Sequence, residues 1–311
     1  MSDASTGIAI GVDLGGTKTE ALALDRGGQE ILRRRVTSPH DYGATVTAIR
    51  DLVTGFENEL GASATVGVGH PGALDPGTGL IKNANPVWLL GKPFDRDLAA
   101  ALGRPVALAN DANCLALSEA TDGSGTGAAC VFAVIVGTGV GGGIAVHGRI
   151  LRGPNGIAGE WGHDALPWPT TDELPGPACY CGLSGCVETW LSGPGMAADH
   201  ARLTGAELDP PAIVAAAELG DSAAEATLER YEDRMARALA GVVNILDPDV
   251  IVLGGGLSRL RRLYDNVPHL LHRHAFAAGA RGELRTQLAP ALHGDSSGVR
   301  GAAWLGRELV R

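Results

Sequence analysis

Three of the five cysteines in this 311-residue chain, Cys179, Cys181 and Cys186, fall within eight positions, and His163 lies sixteen residues before the first. The run H-x15-C-x-C-x4-C supplies three thiolates and an imidazole. That is a full tetrahedral set for zinc, with no position left for a reacting water. A metal there would be structural, and it would fix two interleaved carboxylates in space. Glu160 belongs to Gly159-Glu160-Trp161-Gly162-His163, and Glu188 lies two residues past Cys186. Chance clustering or a disulfide are the competing readings. The short polar start, Met1 to Gly7, reads as no secretory leader, which favours a reducing compartment and a metal.

Asp111 is the candidate proton acceptor. It sits where the apolar run Pro105 to Ala109 gives way, through Asn110, to a helix at Ala112 to Thr121. Ligands of open α/β sheets bind at the carboxyl ends of strands. The bland alternative is an N-cap, a role Asp fills well, and Asn110 is ambiguous in the same way. Three glycine turns follow apolar runs, at Gly11 to Lys18, Gly137 to Gly143 and Gly254 to Gly256. Backbone amides in such turns can approach phosphate oxygens. The first nearly fits G-x4-G-K-[ST] but has Thr17 in the lysine position. The second fits G-x-G-x-x-G but leads into strand-like Ile144 to Val146. Each turn alone could be a tight hairpin; together they favour a nucleotide. Asp13 could hold a magnesium-bound water, and Lys18 or the Gly15 to Thr17 amides could face phosphates.

These groups need an α/β scaffold. Ile8 to Val12 and Thr19 to Leu24 read as one glycine-turned hairpin, and Val131 to Val136 with Ile144 to Val146 as another, which suggests duplication. Helices are predicted at Ala44 to Glu59, Ala223 to Leu246, Leu257 to His274 and Gly298 to Val310, with strands at Thr65 to Gly69 and Asp249 to Leu253. Leu166 to Pro177 is proline-rich and loop-like. Gly123 to Val146 carries no charge, but its glycines suit two buried strands better than a membrane span. The formal charge of −10, with no Lys/Arg-rich block, argues against nucleic acid. Cys114 and Cys130 read as buried core residues. A cytoplasmic protein without membrane or nucleic-acid partners is expected.

Taken together, Asp13-Leu-Gly-Gly-Thr-Lys18, Asn110-Asp111-Ala-Asn, Gly137-Thr-Gly-x-Gly-Gly-Gly143, Gly159-Glu-Trp-Gly-His163 and Cys179-x-Cys-Gly-x-x-Gly-Cys-x-Glu188 resemble the ROK family of repressors and sugar kinases. The likeness runs from about Ile8 to the C-terminus. It implies an actin-like ATPase (ribonuclease H-like) fold: two duplicated α/β domains hinged around a cleft for sugar and ATP. The expected domains are 1–118 with 294–311, and 119–293. By resemblance Asp111 is the catalytic base, and Asn110, Glu160, His163 and Glu188 bind sugar. His163, Cys179, Cys181 and Cys186 bind structural zinc. Contacts to ATP and Mg²⁺ are expected at Asp13, Gly15, Gly16, Thr17 and Lys18, at Thr138 and Gly139, and at Gly254, Gly255 and Gly256.

A narrower likeness, to bacterial fructokinases of the manno(fructo)kinase type, rests on Lys82-Asn-Ala-Asn85, Trp88-Leu, Pro93-Phe, Leu166-Pro-Trp168, Cys179-Tyr-Cys181 and residues 293–304. It adds Asn85 as a sugar contact. It implies transfer from ATP to the C6 hydroxyl of a hexose, with D-fructose preferred, possible action on mannose, and a homodimer. The alternatives are a glucokinase or N-acetylglucosamine kinase of the same family, and a sugar-responsive repressor. The repressor is disfavoured because only about ten residues precede the first glycine turn, too few for a helix-turn-helix.

Overall fold

Apolar residues on either side of a glycine turn form the first hairpin, β1 (Ala9–Leu14) and β2 (Lys18–Leu24), antiparallel with Ala9 opposite Leu24 and Leu14 opposite Thr19. β3 (Glu30–Thr37) extends the sheet beyond β2. Its sequence hides a strand because Arg33, Arg34 and Arg35 break any apolar alternation. On this edge the arginines instead pair with carboxylates: Arg33 with Glu20 and Glu30, Arg35 with Glu20, and Arg34 with Glu59. α1 (Tyr42–Leu60) is capped by Asp41, whose carboxylate accepts from the Ala44 amide at 2.8 Å, and stops at left-handed Gly61. β4 (Thr65–His70) runs parallel to β1. A short hairpin follows, β5 (Ala73–Leu74) with β6 (Ile81–Lys82), and then α2 (Phe94–Leu102). β7 (Ala107–Asn110) pairs in parallel with β4 and passes directly into α3 (Asp111–Asp122). The sheet order is β3-β2-β1-β4-β7.

β8 (Cys130–Val136) and β9 (Val140–Val146) occupy the charge-free segment as two strands, and β10 (Arg149–Ile150) folds back on the end of β9. After the proline-rich loop come α4 (Val187–Leu191), α5 (Gly193–Thr204), α6 (Pro210–Glu218) and the long α7 (Ser222–Leu246). β11 (Val250–Gly254) pairs in parallel with β8, Val250 opposite Val131. α8 (Arg262–His274) follows a 3₁₀ turn at Gly256–Arg259, so the helix predicted over Leu257 to His274 is broken near Leu260. β12 (Gln287–Pro290) pairs in parallel with β11, and α9 (Ser297–Gly306) gives way to a 3₁₀ turn over Arg307–Val310.

This computed structural model describes residues 7–84, 87–276 and 284–310. The chain forms two units, Met1–Gly127 with Gly143–Ala158 and Asp295–Arg311, and Ala128–Gly142 with Gly159–Gly294. β9 therefore starts in one unit and ends in the other, a crossing absent from a linear division at residue 119. Apolar residues on both sides of the boundary leave no compositional mark. No helix among the described residues is long and apolar enough to cross a membrane.

In the first unit α9 lies directly on β1, β4 and α3. A Cβ at Gly11 would stand 2.0 Å from the Val299 carbonyl, one at Gly67 2.0 Å from that of Ala302, and one at Gly301 1.7 Å from that of Cys114. Gly11 thus serves packing, not the phosphate turn.

The second unit buries an ion network. Glu173, in a 3₁₀ turn of the proline-rich loop, accepts from Arg234 Nε at 2.7 Å and from Arg237 at 2.8 and 3.0 Å. Asp199 of α5 accepts from Arg202, Arg230 and Arg234 at 2.8, 2.9 and 3.0 Å. The Arg234 guanidinium also lies over the Trp190 ring, 4.4 Å from its centre. Burial works to raise both carboxyl pKa values, but the arginine hydrogen bonds outweigh it and hold each down to about 2. A depressed carboxyl stabilises the fold fully above its ordinary value, 4.5 for Glu and 3.8 for Asp, and loses that stabilisation as the pH falls toward 2. Glu173→Gln leaves two buried guanidinium groups short of charge and should lower the unfolding free energy by about 3 kcal/mol at neutral pH. In urea titrations the gap to wild type should close on acidification; a gap independent of pH would show that charge is not its source.

Candidate active site and metal centre

The β7–α3 junction shows which of Asn110 and Asp111 caps the helix. The N-cap of α3 is Asn110, whose side chain accepts from the Asn113 amide at 2.8 Å. Asp111 is the first helical residue and accepts from the Ala112 amide at 2.8 Å. The capping role is filled by its neighbour, and Asp111 stays open to solvent. Dense protein nevertheless surrounds it beyond that opening, and this burial raises its pKa.

Asp13 is the next-to-last residue of β1 rather than part of the turn, which is Gly15 to Thr17. Its pKa is pushed up to about 7, first by burial and then by Asp111 and Glu20. Cys114 is buried beside both carboxylates, and its thiol is pushed well up by burial, Asp13 and Asp111. Only glycines face Asp13 from two sides: a Cβ at Gly69 or Gly298 would come within 3.4 and 3.3 Å of its oxygens. A buried carboxyl whose ionisation a second carboxylate also opposes suits a cation site. The adjacent turn is pinned by the Gly15 amide to the Lys18 carbonyl at 3.0 Å and by the Ser38 hydroxyl to the Gly15 carbonyl at 2.7 Å, leaving Gly16, Thr17 and Lys18 exposed.

His70 was not singled out from sequence, although it ends a parallel strand directly opposite Asn110. It is buried, with Nδ1 3.0 Å from the Pro71 carbonyl and its ring edge-on to Phe94. Burial holds its pKa down to about 4, so it is neutral near pH 7. Asn85 lies outside the described residues.

In the second unit His163, Cys179, Cys181 and Cys186 converge, their donor atoms all within 4.8 Å of one another. Cys179 Sγ lies 3.6 Å from His163 Nδ1, and Cys181 Sγ 3.6 Å from Cys186 Sγ. That is far too long for a disulfide. It matches the roughly 3.7 Å between donors that tetrahedral zinc–sulfur bonds of about 2.3 Å require. Without a cation the cluster works against itself: burial, then the other two sulfurs, push the Cys186 thiol up to about 12. Cys114 is buried as expected, whereas Cys130 is only half-buried because it opens β8 at the surface.

Cys186 immediately precedes α4, so whatever fixes the sulfur also fixes Glu188, two residues on in the first turn of that helix. The Glu188 carboxylate accepts from the Val140 amide at 2.9 Å, and a Cβ on Gly139 would sit 2.7 Å from it. The Gly159 to His163 box packs on the same strand. Trp161 donates to the Gly141 carbonyl at 3.3 Å and meets Phe132 edge-on. Glu160 is half-buried just before the 3₁₀ turn Trp161–His163. Tyr180, between Cys179 and Cys181, stands beside His163. Its hydroxyl lies 3.0 Å from His163 Nε2, with the two rings edge to face at 5.1 Å. Although the residue is 66% exposed, crowding at its tip, then Glu188, Cys179 and Glu160, push its pKa up to about 12.

The remaining turns of this unit also meet. The Gly193 amide, at the start of α5, donates to the Gly137 carbonyl at 2.7 Å, and a Cβ on Gly137 would lie 3.8 Å from the Gly256 amide. Gly255 has φ +85°, and its Cβ would strike the Val136 carbonyl at 2.4 Å. Thr138 and Gly256 remain exposed. Exposed backbone amides at the ends of β8 and β11, beside a helix N-terminus, can receive an anion.

Residues 9–308 match the ROK family. An N-acetyl-D-glucosamine kinase of Yersinia enterocolitica is 37% identical over 300 residues, covering 95% of this chain and 98% of that protein. A ROK hexokinase from Thermus thermophilus superposes with TM-score 0.85 at 32% identity, over 97% of this chain and 99% of that one. A ROK glucokinase from Streptomyces griseus, solved with glucose and AMPPNP, gives TM-score 0.75 at 29% identity, over 97% and 100%.

Purified protein should carry about one zinc per chain, the complement of one closed tetrahedral site. Cys181→Ser should abolish that stoichiometry and lower the melting temperature. Elemental analysis and calorimetry decide; a variant with unchanged metal content would remove Cys181 from the site.

Proposed function

The chain belongs to the ROK family, and we propose that it is an ATP-dependent sugar kinase that phosphorylates the C6 hydroxyl of N-acetyl-D-glucosamine. Its actin-like ATPase fold of two α/β units is the one expected from sequence. Fructose, the acceptor favoured by the Cys179-Tyr-Cys181 group of motifs, gives way to the alternative. The observation that carries the acceptor is the full-length similarity to N-acetyl-D-glucosamine kinases, 37% for the Yersinia protein and 39% for one from Escherichia coli. The S. griseus glucokinase makes glucose the second reading.

In this reading the acceptor oxygen forms a bond to the γ-phosphorus as the bond to the ADP oxygen breaks, and the hydroxyl proton passes to Asp111. A raised pKa suits that task, because a proton-accepting group works best when its pKa approaches the working pH. Asp13 would hold magnesium through its water, neutralising charge on the transferred group. The amides of Gly15 to Thr17 in the first unit, and those of Thr138, Gly139, Gly255 and Gly256 in the second, would face phosphates. Asn110 in the first unit, and Glu160 and Glu188 in the second, would receive or bridge sugar hydroxyls. Zinc held by His163, Cys179, Cys181 and Cys186 would supply rigidity and no reaction step, since its four positions are filled.

A coupled ADP-release assay over N-acetyl-D-glucosamine, glucose, mannose and fructose should give the highest kcat/KM with the first; a fructose maximum would overturn the acceptor. Asp111→Asn should lower kcat by about 10³-fold while sugar Kd stays near wild type, the pattern of a group acting in the transition state. Retained turnover would exclude Asp111 as the proton acceptor.

A further inference from the structure

The turn between β1 and β2 is braced by a residue at the end of β3. Ser38 directly follows that strand and is 2% exposed. Its hydroxyl donates to the Gly15 carbonyl at 2.7 Å, and its amide donates to the Thr17 carbonyl at 3.0 Å. Thr19, also buried, places Oγ1 2.9 Å from Ser38 Oγ. A serine hydroxyl has one proton to give. Because the Gly15 carbonyl takes it, Thr19 is the donor in that contact, and a chain of hydrogen bonds runs from Thr19 through Ser38 to the turn. Pro39 biases Ser38 toward extended backbone, which steadies its amide as well.

A trans peptide is planar, so its carbonyl and the N–H of the next residue point in opposite directions. The Gly15 carbonyl faces Ser38, and the Gly16 N–H is therefore directed away from it. The same holds for the Lys18 N–H behind the Thr17 carbonyl. Gly16, Thr17 and Lys18 are the exposed residues of the turn. Gly15-Gly16 is permissive backbone, and a flipped peptide there would present a carbonyl oxygen, which repels a phosphate. We propose that Ser38 is a positioning residue for the nucleotide, holding the turn so that the Gly16 and Lys18 amides are presented to the phosphate chain of ATP. Those amides make the contact, and Ser38 acts only through them. Donors fixed beforehand spare the ligand the cost of ordering them. This assignment rests on the proposed ATP-dependent function and adds to it a residue that lies outside the turn.

Ser38→Ala removes the hydroxyl and frees the Gly15–Gly16 peptide to rotate. Calorimetric titration with Mg²⁺ and the non-hydrolysable analogue AMPPNP should show the nucleotide Kd weakened about 3- to 10-fold, the worth of one hydrogen bond. The KM for ATP should rise in parallel with kcat unchanged, because ground state and transition state lose the same contact. Sugar Kd should stay at its wild-type value. Ser38→Thr keeps the hydroxyl and should bind nucleotide as wild type does. A Ser38→Ala protein with a lowered melting temperature but wild-type nucleotide Kd would overturn the proposal, making Ser38 a structural brace alone. Equal weakening toward nucleotide and sugar would overturn it too, since that is the mark of lost folded protein. Wild type gives a test that needs no variant: hydrogen exchange at the Gly16 amide, read by NMR, should slow when AMPPNP is added. Unchanged exchange in the saturated complex would sink the assignment. Nucleotide binding by wild type, measured first, tests the kinase reading separately; the variant-to-wild-type ratio and the Gly16 amide test Ser38.

Discussion

The hydrogen bond from the Val140 amide to the Glu188 carboxylate is the joint on which the second unit's arrangement around Glu188 depends. One side of it is the glycine turn after β8, which can approach the carboxylate only because Gly139 has no side chain. The other side is α4, whose first turn follows Cys186 and is therefore set by the four-donor cluster. An acidic side chain tied to a backbone amide also has its second oxygen aimed, because the planar carboxylate cannot rotate without breaking the contact. The sulfur cluster, the aromatic box at Trp161 and the phosphate-type turn are thus mechanically one object. The first unit positions its residues through capping and close packing. Asn110 caps α3, which leaves Asp111 at the helix start, and α9 is packed behind Asp13 through glycine.

Much of this arrangement was legible in the chain. Short-range patterns carried it: apolar runs broken by glycine gave both hairpins, and four metal-type donors at close spacing named their own partners. Asp111 was placed by its address between strand and helix. What stayed hidden was decided by contacts between residues far apart. β3 carries no strand signal in its sequence, and its arginines find their partners only in Glu20 and Glu59, on β2 and α1. Glu173 looks like one acidic residue in a proline-rich loop, yet Arg234 and Arg237 make it a buried anchor.

Asn110 and Asp111 illustrate a subtler limit. Both residue types cap helices equally well, so sequence could not say which would do so. The difference is one residue of helix phase, and it leaves the cap to Asn110 and Asp111 as the first helical residue. His70 was overlooked because a buried neutral histidine at a strand end has the same sequence signature as an ordinary core residue. The acceptor preference is a different case. The Cys179-Tyr-Cys181 group of motifs pointed to fructose, whereas similarity over the whole chain pointed to an N-acetylated hexose.

The contact of α9 with β1 and β4 bears on how the protein is made. The first residues of the first unit leave the ribosome early, but the helix that seals their sheet is encoded after nearly all of the second unit. With Gly11 and Gly67 bare until Val299 and Ala302 arrive, the nascent sheet must wait with one face uncovered while the second unit is synthesised and folds. Completion of the half that carries Asp13 and Asp111 is therefore timed by translation of the other half, and a ribosome that stalls before codon 297 releases a chain whose second unit is fully synthesised while its first is still open.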